Sequence, residues 1–289
     1  MKILLTGATG YLGSHLAKAL LENGHELISL RRSRSNLSRL DSYASEITFY
    51  EHSQEVINDI FVVHEDIDLV VHTATAYGRK GESEDEVYKT NVYFPLETLE
   101  LAIQYGVKSF INLDTILNPQ TNVYSLSKNC FKNRAKSLIG KGDMAFLNVR
   151  LDHFYGPNDD RSKFPSWLVE QCLSGTKELS LSLGEQCRDF IYIDDLVFGL
   201  SLIIKNHERF KAYVDIDLGC GTSIKVSEFV KTVHQLTGSK ARLNFGAVPY
   251  REFELMKSEL DLKIITSLGW TASMDLKDGI LRMINAFEN

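Results

Sequence analysis

Seven residues near the N-terminus, Gly7-Ala8-Thr9-Gly10-Tyr11-Leu12-Gly13, limit the folds open to this chain more than any other stretch. They follow a short apolar run, Lys2–Leu5, and lead into Ser14–Asn23. There Leu16, Ala19 and Leu20 fall on one helical face and Gly24 supplies a stop. A buried strand, a glycine turn and an amphipathic helix, in that order, open a parallel α/β unit. Glycines in such a turn let the backbone approach an anion, which the helix N-terminus binds through unpaired N–H groups and its positive dipole end. The spacing implies a dinucleotide, with Gly7, Thr9, Gly10, Tyr11, Leu12 and Gly13 around its pyrophosphate.

The alternation continues. Glu26–Leu30, Ile47–Tyr50, Leu69–His72, Ser109–Leu113 and Met144–Val149 read as further buried strands. Ser83–Tyr105 reads as one long helix bent at Pro95, and Tyr124–Leu138 as another. Strand–helix–strand units of this length require right-handed crossovers, and so an α/β fold with a doubly wound parallel sheet. Beyond residue 154 the regularity breaks. A dinucleotide-binding domain is expected over residues 1–153, with chain returning to it around 187–220. A smaller mixed α/β substrate lobe is expected over 154–186 and 221–289. The 289 residues suffice for both.

A net charge of −6 argues against a nucleic-acid partner but leaves small anions open, since a few placed arginines bind those. The opening apolar run is too short for a signal peptide, and nothing reaches the roughly 18 apolar residues of a membrane span. Cys130, Cys172, Cys187 and Cys220 are widely spaced and suggest free thiols. A cytoplasmic protein is expected.

The end of the second strand bears on cofactor choice. An acid there would serve the ribose hydroxyls of NAD, whereas arginine suits a 2′-phosphate. The chain has Leu30-Arg31-Arg32-Ser33-Arg34, so Arg31 and Arg32 favour NADP(H). A solvated basic loop is the alternative.

Tyr124 and Lys128, in Tyr124-Ser125-Leu126-Ser127-Lys128, share one helical face. The lysine and a nicotinamide ribose are expected to lower the phenol pKa by about 2–3 units, roughly 3–4 kcal/mol, making it a general acid or base. Thr115, nine residues earlier, offers a hydroxyl to the same substrate oxygen. Asn91 falls in the long preceding helix, where an inward amide either holds a catalytic water or shapes the backbone.

Taken in order, GATGYLG, VVHTATAYG, KTNVYFPLETLELA, Thr115, YSLSK, RLDHFYGP and RDFIYIDDL resemble the extended short-chain dehydrogenases that modify nucleotide sugars. Ala76-Tyr77-Gly78-Arg79, the short Thr115–Tyr124 connection and Asp152-His153-Phe154-Tyr155-Gly156 are most similar to the CDP-paratose/CDP-abequose synthase group. That group reduces a 4-keto dideoxyhexose on CDP with NADPH. The resemblance implies Tyr124 as proton donor, Lys128 as ribose anchor and Thr115 as carbonyl partner. It adds Thr73 and Ala74 to the cofactor set and Arg79 and Lys163 to the substrate contacts. His153 stands where many members have an asparagine near the sugar diphosphate. Arg188 matches the arginine that grips that diphosphate, and Arg251 with Glu254 matches a nucleotide-contacting pair. A homodimer or homotetramer is implied. The expected reaction is a 4-keto reduction. A cofactor-retaining epimerase or dehydratase is the rival, and a non-catalytic NADP sensor a third reading. Ile116 counts against a dehydratase, because a second acid belongs there.

Overall fold

The computed structural model describes residues 1–140 and 143–288. Its centre is a parallel sheet built from β1 (Lys2–Thr6), β2 (Glu26–Arg31), β3 (Ile47–Glu51), β4 (Leu69–His72), β5 (Ser109–Thr115), β6 (Ala145–Leu151) and a late-arriving strand, Tyr213–Leu218. The strand β7 (His153–Tyr155) joins β9 (Cys187–Tyr192) and β11 (Ser223–Lys225) in a small second sheet. A two-stranded piece pairs β8 (Glu178–Leu181) with β12 (Arg242–Phe245), and Tyr213–Leu218 is therefore β10. The main sheet runs β10-β6-β5-β4-β1-β2-β3, so the strand order reverses between β1 and β4. Ligands of such sheets bind at the carboxyl ends beside that reversal.

Helices cover both faces. On one side α2 (Gln54–Val63), α4 (Phe94–Gln104) and α5 (Val123–Ile139) pack Ile57, Leu99 and Phe131 onto Leu4, Val70, Phe110 and Phe146. On the other, α1 (Tyr11–Glu22) and α7 (Ile193–Lys205) cover Ile3, Leu5, Val71, Ile111 and Leu147. This second core continues without a break into α6 (Phe164–Leu173), α8 (Val226–Leu236) and α10 (Leu276–Glu288), through Leu168, Phe229 and Met283. The β-branched and aromatic runs of the strands are what a sheet buried on both faces requires. A short helix, α9 (Lys263–Ser267), packs near β10.

The expected helix over 83–105 is continuous but not uniform. Ser83 caps α3 (Glu84–Tyr88) through a reciprocal capping box with Glu86. The chain then widens into one π-helical turn, Lys89–Tyr93, before α4 begins. Pro95 has no N–H for the carbonyl four residues back, and the ladder is released in the turn just before it. The irregularity thus falls at Asn91, one turn ahead of the expected bend. The four cysteines are free thiols, and among the described residues no helix is long and apolar enough to cross a membrane.

Candidate active site

The glycine turn is fixed by close packing. Gly7 has φ +78°, and a Cβ on Gly13 would fall 2.0 Å from the Gly7 carbonyl oxygen. A side chain at either position would push α1 off β1. The N-cap, Gly10, offers no side chain to the first-turn N–H groups, and no acid lies in that turn. The helix start therefore presents Tyr11, Leu12 and Gly13 N–H groups and its dipole to an anion. Thr9 and Ala74 flank this turn, both half-buried. The Thr73 hydroxyl donates to the Thr6 carbonyl at 2.8 Å. Thr73 thus closes the carboxyl ends of β1 and β4 beside the turn, and its hydroxyl oxygen keeps its acceptor capacity.

Arg31 ends β2 with its guanidinium 5.6 Å from the Phe49 ring centroid, and Arg32 is exposed beside it. Neither has a carboxylate partner among the described residues, so both cations are open to a phosphate. Arg39, which no motif or periodicity marked, lies 5.3 Å from the Tyr11 ring and donates to the Asn158 carbonyl at 2.8 Å. It adds another cation over the glycine turn.

The second half of the site forms where α5 begins. Asn122 caps the helix by accepting from the Ser125 N–H, and that start sets Tyr124 beside Thr115 at the end of β5. Thr115 hydrogen-bonds the phenol, and the Tyr77 ring lies 4.8 Å from the Tyr124 ring. Burial pushes the phenol well above its usual value, and nearby Tyr77 and Asp114 add to this. Arg79 and the Thr115 bond pull the other way without prevailing. Lys128 is not among the groups that act on the phenol here, so the chain's own residues raise it. Lys128 is buried deeper along the same face, and the environment of the phenol is dominated by lost solvation. The consequence is a phenol held in its protonated, donating form.

Asn91 has no capacity left for catalysis. Its amide nitrogen donates to the Ala76 carbonyl at 2.8 Å and to Ser127 Oγ at 2.9 Å. Its oxygen accepts from the Ala76 N–H at 2.8 Å and from Thr75 Oγ1 at 3.2 Å. These are all the bonds an amide can make. Asn91 ties the loop after β4, with Tyr77, to Ser127 of α5, which corrects the expected catalytic assignment to a positioning one. The π turn aims it inward. Asn91→Ala is expected to cost about 2–4 kcal/mol of stability, because it orphans several buried polar groups. Urea denaturation measures this, and a cost below about 1 kcal/mol would contradict the account.

The other substrate-side residues gather less uniformly. The Lys163 ammonium is enclosed by Phe154 at 3.9 Å and by Tyr11 and Tyr77 at 5.6 Å each, and it pairs with the buried Asp159 at 3.0 Å. It bridges the glycine turn and the Tyr124 region. Arg79 lies over the outer face of Tyr77 at 5.2 Å. His153 is anchored through Nδ1 to Asp152 at 2.7 Å and packs edge-on against Phe190. The Arg188 guanidinium is buried, donating to the Cys187 carbonyl at 2.7 Å, to the Leu255 carbonyl and to Glu254. Those bonds leave Nε–H and one Nη2–H for a ligand. Arg251 and Glu254 do not act as a pair here. Glu254 is committed to Arg188, whereas the Arg251 side chain is exposed.

The chain is similar to known proteins over most of its length. Residues 3–219 match the NAD dependent epimerase/dehydratase family. The CDP-abequose synthase of Salmonella muenchen is 31% identical over 99% of this chain and 98% of its own length. The UDP-glucose 4-epimerase of Thermotoga maritima, solved with UDP-glucose, superposes with a TM-score of 0.85 at 25% identity, over 100% of this chain and 99% of that one. The dTDP-glucose 4,6-dehydratase DesIV of Streptomyces venezuelae, solved with NAD, shares the fold at 20% identity and a TM-score of 0.85, over 100% of this chain and 97% of its own.

Proposed function

The chain belongs to the NAD-dependent epimerase/dehydratase family, and from that membership we propose that it reduces the C4 ketone of a CDP-linked 4-keto-deoxyhexose with NADPH. The observation that carries the reading is the division of labour across β5. Thr115 bonds to a protonated Tyr124 on one side of the strand. The neighbouring Asp114 is taken up by Asn148 of β6, from which its carboxylate accepts at 2.8 Å, and lies 3.9 Å from Lys132 further along α5. A dehydratase needs acids beside the threonine, and the one acid available is engaged by Asn148 and Lys132 while Ile116 and Leu117 follow. A relative at 31% identity that is a CDP-abequose synthase supports the CDP-linked substrate.

The bound cofactor supplies the hydride. The chain's residues manage the charge that results. Tyr124 donates its proton to the oxygen at C4, and the Thr115 hydroxyl holds that same oxygen as negative charge develops on it. Lys128 anchors the nicotinamide ribose, and Arg31 and Arg32 read the 2′-phosphate. The glycine turn holds the pyrophosphate at the α1 N-terminus. Lys163, Arg188, His153 and Arg79 orient the sugar diphosphate, with Arg251 at its exposed margin. Lys163 and Arg251 come from the lobe of residues 154–186 and 221–289, to which we assign part of the nucleotide-sugar binding, and Arg79, His153 and Arg188 add to it from outside that lobe.

The test is stoichiometric. Incubated with a panel of CDP- and dTDP-linked 4-keto-6-deoxyhexoses, the enzyme is expected to oxidise one NADPH for each ketone reduced. Conversion of the sugar with no net loss of NADPH would mean epimerisation and would contradict the proposal. Retained NADPH binding with no conversion of any of these sugars would contradict it as well.

A further inference from the structure

A parallel sheet buried on both faces is ordinarily lined by apolar side chains. Here Thr6, His72, Asn112 and Asn148 stand in register on four adjacent strands, all fully buried, and the row ends at the exposed Asp215 on β10. Thr6 Oγ1 meets His72 Nδ1 at 2.8 Å, Asn112 donates to Asn148 at 2.8 Å, and Asn148 donates to Asp215 at 2.8 Å. The second hydrogen of the Asn148 amide goes to Asp114 Oδ2, also at 2.8 Å. Asp114 lies two residues beyond Asn112 on β5, hence on the same face, and is only 4% exposed.

The helix over this face is α5. Lys128 and Lys132 lie one turn apart on it, and Lys132 Nζ is 3.9 Å from Asp114 Oδ2. Lys128 is the deeper of the two, at 3% exposure. A buried ammonium is stable only beside an opposite charge, and a buried carboxylate only if it is hydrogen-bonded and paired. We propose that Asp114, held by Asn148, is a positioning residue of this reaction, the counter-charge that keeps the Lys128 ammonium in place under the cofactor ribose. This rests on the reading of function given above.

Burial pulls Lys128 down to about 8, and Asp114 acts in the opposite direction. From α3, Tyr88 sits against Cys130 of α5 and is raised by burial and then by that thiol. From β4, His72 is held far below its usual value by burial and then by Lys128, so it stays neutral. Asn91, in the π turn, is a neutral amide. On α5 itself stand Lys132 and the protonated Tyr124. From β6, Arg150 is tied to Asp217 of β10 at 2.6 Å, and Asp215 is bonded by Asn148 and by the Tyr213 hydroxyl at 2.9 Å. Among the described residues Asp114 is the acid that acts on Lys128, from beyond direct ion-pair distance, while its closer cation is Lys132, one turn further along α5. Lys132 competes with Lys128 for it.

The sign follows directly. Lys128 is charged below its midpoint and neutral above it. Asp114→Asn removes the counter-charge but keeps the shape, so the midpoint falls. Lys132→Met removes a like charge, so the midpoint rises. The experiment is an NMR titration of the ligand-free protein carrying ¹³C at the lysine ε-carbons, with the Lys128 signal assigned through Lys128→Arg. The native midpoint is expected near 8. It should drop by about one pH unit in Asp114→Asn and move upward in Lys132→Met. The alkaline limb of kcat/KM should shift in the same two directions. A Lys128 midpoint unmoved by Asp114→Asn, or one lowered by both variants, overturns the proposal. Shifts in the expected directions support it even in a protein that reduces none of the sugars tested, so its failure is separable from failure of the functional reading.

Discussion

Tyr124→Phe is expected to lower kcat by on the order of 10²- to 10⁴-fold, the range associated with losing a positioned proton donor. The phenyl ring keeps its place against Tyr77, and the Thr115 hydroxyl still reaches the ketone oxygen. Binding of NADPH should stay close to native, because Lys128, the arginines and the glycine turn are untouched. Lost is the proton that burial keeps on the phenol. Steady-state kinetics together with fluorescence titration of NADPH measures both quantities. A variant with near-native turnover would remove Tyr124 from the chemistry. One that failed to bind NADPH would show the phenol to be a cofactor ligand first.

The second large effect concerns the cofactor. Arg31→Asp combined with Arg32→Ser should weaken NADPH binding by roughly 10- to 100-fold, since a hydrogen bond to a charged group is worth about 1.5–3 kcal/mol. Binding of NADH should improve, because the new carboxylate can accept from the ribose hydroxyls. Fluorescence titration of both nucleotides gives the ratio directly. Unchanged NADPH affinity would mean that the 2′-phosphate is read elsewhere, and Arg39 over Tyr11 would become its reader.

Much of the scaffold was legible because it is written in local terms. The bounds of β4 fall where its apolar run starts and stops, and Gly24, at φ +75°, ends α1 as a glycine after a helix should. The glycine turn and the Tyr124–Lys128 spacing are likewise local. Each needs only a few consecutive residues to be recognised. The π turn could not be read this way, because Asn91 is drawn inward by Ala76 and Ser127, which are distant in sequence.

The electrostatics of the site were the least legible part. The spacing that puts Lys128 near Tyr124 suggested a lowered phenol. Burial of the phenol among Tyr77, Thr115 and the loop after β4 acts in the opposite direction, and that burial is not written in the spacing. Arg39 and Lys163 reach the site from an irregular loop and from the start of α6. Arg188 was legible as a cation, but its pairing with Glu254 was not. Nor was the row from Thr6 to Asp215, since register between strands is absent from the sequence of any one of them.

The central claim is that hydride moves from the cofactor to the sugar and stays there. The most direct measurement uses NADPH deuterated at nicotinamide C4 with a CDP-4-keto-6-deoxyhexose, followed by mass spectrometry and NMR of the sugar. The account predicts one deuterium per product molecule, located at C4, with NADP⁺ released in equal amount. An unlabelled sugar product, formed while the cofactor remains bound and unconsumed, would contradict it.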